Sequence, residues 1–418
     1  MTEAPQGYYA TSADALAGLP RLDREASCDV CVIGGGFTGL SAALHLAKAG
    51  ASVVLLEADG LGYAASGRNG GQIHPGHRKS QAELESWLGD SHARDLWRLS
   101  EEAVDLVFAL AAEGCDIKRG LVIAAHNARA VRDLTDETSD LRDRYGVSGI
   151  RMMDQAETAS QLGTSIYPAA RLDMTGGHLH PLKFVRRLAT LALQAGAKLY
   201  EQSRAIGIER TTPAAVLTAS GRVTAKQVIL ATDAFSGDIA PELAPYIAHV
   251  ESFLVATEPL DPKLNVLPND AAVADTRHVL DYYRKSADNR LLFAGRESYW
   301  NVPKNIAAIV RPRLLRVFPQ LAAARIDHAW SGTVGITRTR MPHFGRLAPN
   351  LLFGHGYSGH GVALATLGGK ALAEAALGQP ARFDILATVP AAKFPGGPLL
   401  RKPMVTAALT MLKWRDMV

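Results

Sequence analysis

The stretch from residue 28 to residue 57 constrains the fold more than any other part of the chain. It reads CDVCVIGGGFTGLSAALHLAKAGASVVLLE: a short β-branched run, a glycine-rich turn, an amphipathic segment and a second apolar run that ends in Glu57. Gly34, Gly36 and Gly39 fit the pattern G-x-G-x-x-G directly after the first run. This order predicts a parallel βαβ unit whose central turn binds the pyrophosphate of a dinucleotide.

Each glycine of this turn has its own role in that prediction. Gly34 permits a tight turn, Gly36 leaves room for the pyrophosphate, and Gly39 lets the helix pack close to the strand. The N–H groups at the helix start would hold the phosphates, and Glu57 would accept hydrogen bonds from a ribose diol. A glycine-rich turn without a ligand is the alternative, and the complete order of strand, helix, strand and acid argues against it.

Length and composition bound the class of protein. A chain of 418 residues, of which 47% are hydrophobic, predicts two or three domains with sizeable cores. The 45 basic residues nearly balance the 41 acidic ones, which leaves a net charge of +4, and we find no Lys/Arg block of the kind that binds nucleic acid. We therefore predict no nucleic-acid partner. The chain also lacks a G-x-S-x-G motif, so a serine hydrolase is not supported.

The three cysteines, Cys28, Cys31 and Cys115, do not predict a zinc site. Cys28 and Cys31 form a C-x-x-C pair at the first strand, but the chain has no second pair to complete a metal site. So few cysteines fit a reducing compartment. The sequence begins without a signal-peptide pattern and contains no run of 18 apolar residues. These features predict a cytoplasmic protein without a transmembrane segment and without a metal.

A second glycine-rich stretch follows the ribose-binding strand and reads LGYAASGRNGGQ at residues 61–72. Its glycines do not fit an ordinary helix. Because of its position, we expect this loop to lie over the bound dinucleotide. Ser66, Arg68 and Asn69 would then offer hydrogen-bond donors to a phosphate or to a ring system.

The fingerprint, the E-A pair at residues 57–58 and the string GYAASGRNGGQ at residues 62–72 together resemble the D-amino acid oxidase superfamily of FAD-dependent amine oxidoreductases. Within that superfamily the strings resemble the gamma-glutamylputrescine oxidase type, and the resemblance covers nearly the whole chain. It implies an α/β fold with a Rossmann-like FAD-binding domain of the glutathione-reductase type. The second domain would be an α+β substrate domain with a mixed, largely antiparallel sheet.

The predicted domains are interleaved along the chain. The FAD-binding domain is formed by residues 27–81, 173–235 and 327–385. The substrate domain is formed by residues 82–172 and 236–326. An N-terminal arm covers residues 1–26, and a C-terminal tail with a helix covers residues 386–418.

The resemblance also implies which residues contact the FAD. The string ATDA at residues 231–234 resembles the A-T-G-A closure beside the flavin nucleotide, with Asp233 in place of the glycine. The turn GYSGHG at residues 356–361 precedes a helix whose N-terminus would point at the pyrimidine end of the flavin. The predicted cofactor-binding residues are Gly34, Gly36, Phe37, Thr38, Gly39, Glu57, Ala58, Ser66, Gly67, Arg68, Asn69, Gly70, Gly71, Gln72, Ala205, Ala231, Thr232, Gly332, Gly356, Tyr357, Ser358, Gly359, His360 and Gly361.

We expect the FAD to be bound non-covalently. The sarcosine-oxidase relatives anchor the flavin through a cysteine, and the matching segment here, GITRTRMP at residues 335–342, contains none. Those relatives also carry an oxygen-activating lysine, and our matching places Phe293 at that position. The electron acceptor, oxygen or a quinone, is therefore left open.

Aromatic residues and one arginine on the substrate-domain strands are candidates for the pocket. They are Phe253, Tyr282, Tyr283, Arg284 and Trp330. An arginine there could grip a substrate carboxylate with two hydrogen bonds. Core packing is the alternative for each aromatic residue, and a surface position is the alternative for Arg284.

His360 joins Tyr282, Tyr283, Arg284 and Trp330 in the predicted catalytic set because it lies in the flavin turn. The other histidines are scattered along the sequence. We expect most of those to be structural or solvent-facing.

These features predict an enzyme that oxidises a primary or secondary amine, gamma-glutamylputrescine or a related amine. A hydride passes from the carbon beside the nitrogen to FAD, and water hydrolyses the resulting imine. An oxidase is favoured over a dehydrogenase. One alternative is an amine or amino-acid dehydrogenase that passes electrons to a quinone, and the other is an FAD-binding subunit without turnover.

The predicted tail helix motivates the quinone alternative. It carries one apolar stripe, formed by Val405, Ala408, Leu409 and Leu412. The stripe either docks on the protein itself or makes peripheral contact with a membrane.

Overall fold

The structure is a computed structural model that describes residues 7–16, 18–111 and 114–395. The helices are α1 (Tyr8–Ser12), α2 (Phe37–Lys48), α3 (Ala65–Arg68), α4 (Gln81–Leu88), α5 (Asp90–Ala111), α6 (Ala128–Tyr145), α7 (Gln155–Leu162), α8 (Pro181–Gln194), α9 (Ser236–Ile239), α10 (Ile306–Val317), α11 (Gly361–Ala376) and α12 (Ala381–Ala387). The strands are β1 (Glu25–Ile33), β2 (Val53–Leu56), β3 (Gln72–Ile73), β4 (Lys118–Ala125), β5 (Ile150–Met153), β6 (Ala169–His178), β7 (Lys198–Tyr200), β8 (Ala205–Glu209), β9 (Ala214–Thr218), β10 (Arg222–Leu230), β11 (Ile247–Pro259), β12 (Ala272–Asp275), β13 (Tyr282–Lys285), β14 (Arg290–Ser298), β15 (Ile326–Thr337), β16 (His343–Ala348) and β17 (Leu351–His355).

One sheet, which we call sheet A, has a parallel centre in the order β17–β10–β1–β2–β7. β16 joins β17, and β9 joins β10, in antiparallel orientation, while β8 pairs with β9. Because the central strands are parallel, their carboxyl ends lie at one edge of the sheet. Gly34, Glu57, Ala231 and Gly356 directly follow β1, β2, β10 and β17, so all four lie at that edge. Ligands of open α/β sheets bind outside this edge.

Helices α2, α8 and α11 contribute to one continuous core that includes Val30 and Val32 of β1. α2 packs close to the turn after β1 and to α11 because glycines lie at these contacts. A Cβ atom on Gly39 of α2 would lie 1.8 Å from the carbonyl oxygen of Gly34, and one on Gly369 of α11 would lie 2.2 Å from that of Thr38. α2 and α11, which lie far apart in the sequence, are therefore packed against each other on one face of sheet A.

The other sheet, sheet B, has the order β15–β11–β14–β13–β12–β4–β6–β3, and β5 pairs with β6. Only β12 and β4 are parallel among these described pairings. The predicted mixed, largely antiparallel sheet is thus confirmed beside the predicted Rossmann-like sheet. α10 covers one face of sheet B, where Val310 and Phe318 share a core with Tyr283 and Phe293.

Two local features differ from the expectations drawn from the sequence. The glycine-rich stretch 61–72 contains a single helical turn, α3, in addition to loop. The predicted irregular arm contains α1, whose Tyr8 and Tyr9 pack with Trp330.

Some expectations are not settled by this architecture. Strand β3 and most residues of β6 and β15 fall in the segments predicted for the FAD-binding domain, yet all three strands belong to sheet B. The predicted division of the chain into domains stays a prediction. The predicted tail helix and its stripe lie outside the described residues. Within the described ranges, no helix has both the length and the apolar composition that crossing a membrane requires.

Candidate active site

A cavity of ≈ 780 Å³ lies between the carboxyl edge of sheet A and the face of sheet B that α10 leaves uncovered. Most of the predicted cofactor-binding residues are in its wall. They are Gly34, Gly36, Phe37, Thr38, Glu57, Ala58, Ser66, Arg68, Asn69, Gly70, Gln72, Ala205, Ala231, Thr232, Gly332, Tyr357, Ser358, Gly359, His360 and Gly361. The structure thus brings together residues from seven separate stretches of the sequence, and their contacts with FAD stay predictions.

Four predicted glycines, Gly39, Gly67, Gly71 and Gly356, lie behind the wall. Each allows a close approach within the protein. A Cβ atom on Gly67 would lie 2.3 Å from the carbonyl oxygen of Gly62, and one on Gly71 would lie 2.1 Å from that of Leu179. These glycines shape the site through the backbone behind it.

Glu57 fixes the turn between β1 and α2. Its Oε2 accepts a hydrogen bond from the Gly35 N–H at 2.6 Å, and its Oε1 accepts one from the Asp59 N–H at 2.9 Å. Burial raises the pKa of Glu57, and these backbone donors oppose that rise. Ser66 closes the turn from the other side, because its Oγ accepts from the Phe37 N–H at 3.0 Å and leaves no space for a side chain at Gly36.

The loop that was predicted to lie over the dinucleotide is held mainly by its own side chains. Nε of Arg68 donates to the carbonyl of Tyr63 at 2.7 Å. Asn69 donates to the carbonyls of Ala65 and Ser66, and its Oδ1 accepts from the Gly71 N–H at 2.7 Å. Arg68 and Asn69 therefore order the loop as well as line the cavity.

Arg284 and Trp330, predicted to contact the substrate, instead support this loop from behind. The guanidinium of Arg284 is buried, and its Nε donates to the carbonyl of Gly70 at 2.7 Å. The indole of Trp330 donates to the carbonyl of Arg68 at 3.0 Å. Neither side chain is in the cavity wall. Both side chains donate to backbone carbonyls of the protein. The predicted binding of a substrate carboxylate by Arg284 therefore has no geometric support.

The two tyrosines of β13 face opposite sides of sheet B, as successive residues of a strand must. Tyr282 lines the cavity, and its hydroxyl lies 3.0 Å from Oγ of Ser252. Tyr283 points into the core under α10 and stacks on Phe293 with a centroid distance of 5.5 Å. Phe253 belongs to that same core. Tyr283 and Phe253 therefore pack in the core, which was the alternative to a position in the pocket.

The turn that precedes α11 is tied to the other cofactor segments. Oγ1 of Thr38 donates to the Tyr357 hydroxyl at 2.9 Å, which links α2 to this turn. Asp233 accepts hydrogen bonds from the N–H groups of Gly356 at 2.8 Å and of Gly335 at 3.2 Å. Asp233, which replaces the glycine of A-T-G-A, therefore provides a carboxylate at the edge of the cavity. This carboxylate connects the ends of β10 and β17 with β15.

The cavity wall also contains side chains that the sequence did not single out. They are His74, His77, Arg78, Arg171, Arg277, Arg296, Glu297 and Arg340. Arg78 and Arg296 each have a buried Nε without a hydrogen-bond partner among the described residues. Burial and Arg340 lower the pKa of Arg78 to about 10, while Glu297 opposes this. The sequence carried one signal that His74 lines the site. His74 lies two residues after Gln72, a predicted cofactor-binding residue, and alternate residues of an extended segment face the same side.

His360, the fifth predicted catalytic residue, is in the wall and stacks on His74. Burial lowers its pKa well below the ordinary value, and His74, Arg78 and His77 lower it further. It is thus a neutral ring at physiological pH. Among the described residues, no group of three His, Cys, Asp or Glu side chains could hold a metal ion.

The wall fits FAD at the edge of sheet A. The cavity extends from Ala205 and Glu57, past the 34–38 turn, to the start of α11. The N-termini of α2 and α11 offer backbone N–H groups, which suit a pyrophosphate and the electron-rich edge of a reduced flavin. The narrow place at Gly36, where a Cβ atom would lie 2.7 Å from Oγ of Ser66, admits only a residue without a side chain.

Three comparisons with known proteins agree with this geometry. The chain is 39% identical to gamma-glutamylputrescine oxidoreductase of Escherichia coli (strain K12), over 100% of this chain and 99% of that protein. It is 40% identical to the probable oxidoreductase OrdL of Rhizobium meliloti (strain 1021), over 95% and 94% of the two chains. The crystal structure of glycine oxidase from Geobacillus kaustophilus superposes with a TM-score of 0.74 at 20% identity, covering 85% of this chain and 95% of that one.

The last similarity concerns the fold alone, whereas the two curated relatives match nearly from end to end. A family model described as DAO, FAD dependent oxidoreductase, matches residues 29–375. That range includes both helix N-termini and every wall residue named above. The chain therefore belongs to the DAO family of FAD-dependent oxidoreductases, and FAD is its cofactor.

Proposed function

We propose that this protein oxidises a primary or secondary amine that carries an amino-acid head group, with gamma-glutamylputrescine as the first candidate. The observation that carries the proposal is the continuity of one cavity, from the FAD end at Glu57 to the charged end at Arg78, Arg296 and Glu297. The full-length similarity to gamma-glutamylputrescine oxidoreductase supports the same substrate class.

The charged end matches the chemistry of such a head group. A γ-glutamyl group carries one carboxylate and one ammonium group. Arg78 and Arg296 offer guanidinium groups whose buried Nε atoms lack a partner among the described residues. Glu297 offers a carboxylate, which accepts a hydrogen bond from the Tyr299 hydroxyl at 2.7 Å. A zwitterionic head bound here would leave the distal amine to extend along the cavity.

Bound FAD supplies the hydride acceptor in this reaction. The protein binds and orients the amine between sheet A and the uncovered face of sheet B. Tyr282 forms part of the cavity wall, and its hydroxyl is held by Ser252. Water then hydrolyses the imine that leaves.

Anaerobic mixing of the purified holoenzyme with amines tests the proposal. Gamma-glutamylputrescine is expected to bleach the flavin absorbance faster than putrescine, which lacks the head group. Bleaching by putrescine and not by gamma-glutamylputrescine would overturn the head-group assignment. A panel of amines that never bleaches the flavin would favour the FAD-binding subunit without turnover.

We propose further that the enzyme is an oxidase with non-covalent FAD. The cysteines Cys28, Cys31 and Cys115 are all free, and none of them is in the cavity wall, which supports non-covalent binding. Denaturation is expected to release free FAD, and colour on the precipitated polypeptide would contradict this. Air admitted after anaerobic reduction should reoxidise the flavin rapidly with release of peroxide, whereas slow reoxidation would favour a dehydrogenase that uses a quinone.

A further inference from the structure

Two histidines stack on each other in the cavity wall at the start of α11. The ring centroids of His74 and His360 are 4.7 Å apart, and the ring planes differ by 14°. Both residues line the cavity. They come from distant parts of the chain, one after β3 of sheet B and the other at the N-terminus of α11, so the fold itself builds this pair.

Hydrogen bonds fix the tautomer of His74. The side-chain amide of Gln72 donates from Nε2 to the carbonyl oxygen of Val273 at 2.8 Å. Since a carbonyl can only accept, the amide nitrogen faces Val273 and the amide oxygen is left for His74. Nε2 of His74 lies 2.8 Å from that oxygen. The ring proton of His74 therefore sits on Nε2, and Nδ1 keeps its lone pair.

The surroundings of this pair oppose any positive charge. Burial lowers the pKa of His74 to about 3, and Arg78 and Arg171 contribute to that shift. The same arginine, Arg78, together with His74 and His77 lowers the pKa of His360. An ammonium group beside these rings would meet the same burial and the same guanidinium groups.

Two carboxylates of the cavity wall act on these arginines and do not cancel this effect. Oε2 of Glu137 lies 3.0 Å from Nη1 of Arg171, and this ion pair offsets the positive potential of that one arginine. Glu297 acts on Arg78, whose pKa is nevertheless lowered by burial and by Arg340. Uncharged amine is therefore the form that this part of the cavity accepts at the lower cost.

We infer that His74 accepts a hydrogen bond at Nδ1 from the amine of the substrate, which enters this part of the cavity uncharged. The inference rests on the proposed amine oxidation and adds the group that positions the reacting nitrogen. The ammonium form of the substrate gives up one proton to bulk water before the amine enters this part of the cavity. The carbon beside the nitrogen then gives up a hydrogen with two electrons, and the lone pair of the nitrogen forms the C=N bond, so the product leaves as a protonated imine.

The Gln72→Glu variant tests the inference, with gamma-glutamylputrescine as the probe. A carboxylate beside Nε2 raises the pKa of His74, and protonation of Nδ1 removes the acceptor and adds a charge. The anaerobic reduction rate of the variant should show a new acid limb, along which the rate falls about tenfold per pH unit. Nitrogen NMR of histidine-labelled holoenzyme should place the titration on His74.

Two substitutions of His74 separate its acceptor from its ring. His74→Asn keeps an oxygen near the position of Nδ1, whereas His74→Phe keeps only the flat ring. We expect His74→Phe to slow flavin reduction about tenfold to a hundredfold more than His74→Asn does, with FAD content unchanged. The double variant Gln72→Glu/His74→Asn should lose the new acid limb.

His178 provides a matched control. It is a buried histidine that pairs with Gln72 across β3 and β6, its Nε2 donates to the carbonyl of Asp270 at 3.0 Å, and it is not in the cavity wall. His178→Asn should leave the pH profile of flavin reduction unchanged.

The failures of the inference and of the proposed function are distinguishable. Wild-type flavin that no amine reduces would end the proposed function. Wild-type flavin that gamma-glutamylputrescine reduces, combined with equal rates for His74→Phe and His74→Asn, would overturn the role of His74 alone. So would a Gln72→Glu profile identical to that of wild type while the NMR signal of His74 titrates.

Discussion

At the β1–α2 turn the cavity wall is mostly backbone, whereas at the stacked histidines it is mostly side chains. The turn is held by Gly35 and Asp59 N–H groups bound to Glu57, and a side chain at Gly36 would collide with Ser66. The histidine end takes His74 from the segment after β3 and His360 from the start of α11.

This difference has a physical origin. A phosphate is recognised by N–H groups and a helix dipole, which any sequence provides if the chain can come close enough, so the requirement is for small residues at fixed spacing. An amine and its head group are recognised by particular side chains, which can come from any element that reaches the cavity. Cofactor binding at the β1–α2 turn should therefore be lost when a side chain fills the space. Amine binding at the histidine end should be lost when one polar side chain is replaced.

Filling space at the β1–α2 turn should have the largest effect. Valine at Gly39 would place a Cβ atom 1.8 Å from the carbonyl oxygen of Gly34, a contact that only a shift of α2 can relieve. We expect Gly39→Val to retain less than about a tenth of the wild-type FAD content after gel filtration, if it folds at all. Gly18→Val is the control, because a Cβ atom there meets nothing within 4 Å. Full FAD content in Gly39→Val would show that the close approach is not needed.

Removing the one charged side chain that holds this turn should have the next largest effect. Glu57→Ala deletes the acceptor of two backbone N–H groups and the predicted ribose contact. We expect FAD affinity to fall by about 1.5–3 kcal/mol, measured by fluorescence titration of the apoprotein. Glu57→Gln keeps an acceptor oxygen and should lose less. Equal affinities for wild type and Glu57→Ala would contradict a ribose contact.

At the other end, replacing one cation should affect substrates selectively. Arg78→Met keeps much of the side-chain volume but removes the guanidinium whose buried Nε lacks a partner among the described residues. The Kd of gamma-glutamylputrescine should weaken about tenfold, while that of putrescine, which has no carboxylate, should change little. Arg325→Met is the control, since Arg325 is exposed and is not in the cavity wall. A loss that is equal for both amines would count against a carboxylate contact.

The same contrast explains how far the sequence could be interpreted. The spacing of Gly34, Gly36 and Gly39 predicted the turn, and the apolar runs around it predicted the elements of sheet A, because each signal is local. The sequence did not show that Arg284 would turn to the carbonyl of Gly70, nor that Tyr283 would face α10.

Those choices depend on strand register and on partners far away in the chain. The pairing of Tyr282 with Ala294 and of Tyr283 with Phe293 decides which residue of β13 meets the cavity. Likewise, the meeting of His74 and His360 requires sheet B and α11 to come together in space. Periodicity within one segment carries no information about such pairings.

A fall in pH should change the contributions of the two ends to stability in opposite directions. This effect should be smaller than those of the substitutions above. The pKa of His74 is lowered to about 3. Its contribution to stability is therefore present above the unfolded pKa near ~6.5 and is lost as the pH falls from that value towards the folded pKa. The pKa of Glu57 is raised, so its contribution changes in the opposite direction and is lost as the pH rises through the folded pKa. Between pH ~7 and ~5.5, His74 alone should cost the native state about 1 kcal/mol, which corresponds to a melting-temperature change on the order of 1 °C in a protein of this size. His74→Asn should therefore flatten the pH dependence of the melting temperature of the holoenzyme, whereas Glu57→Gln should not. A His74→Asn curve parallel to that of wild type would show that His74 does not stay neutral in the native protein.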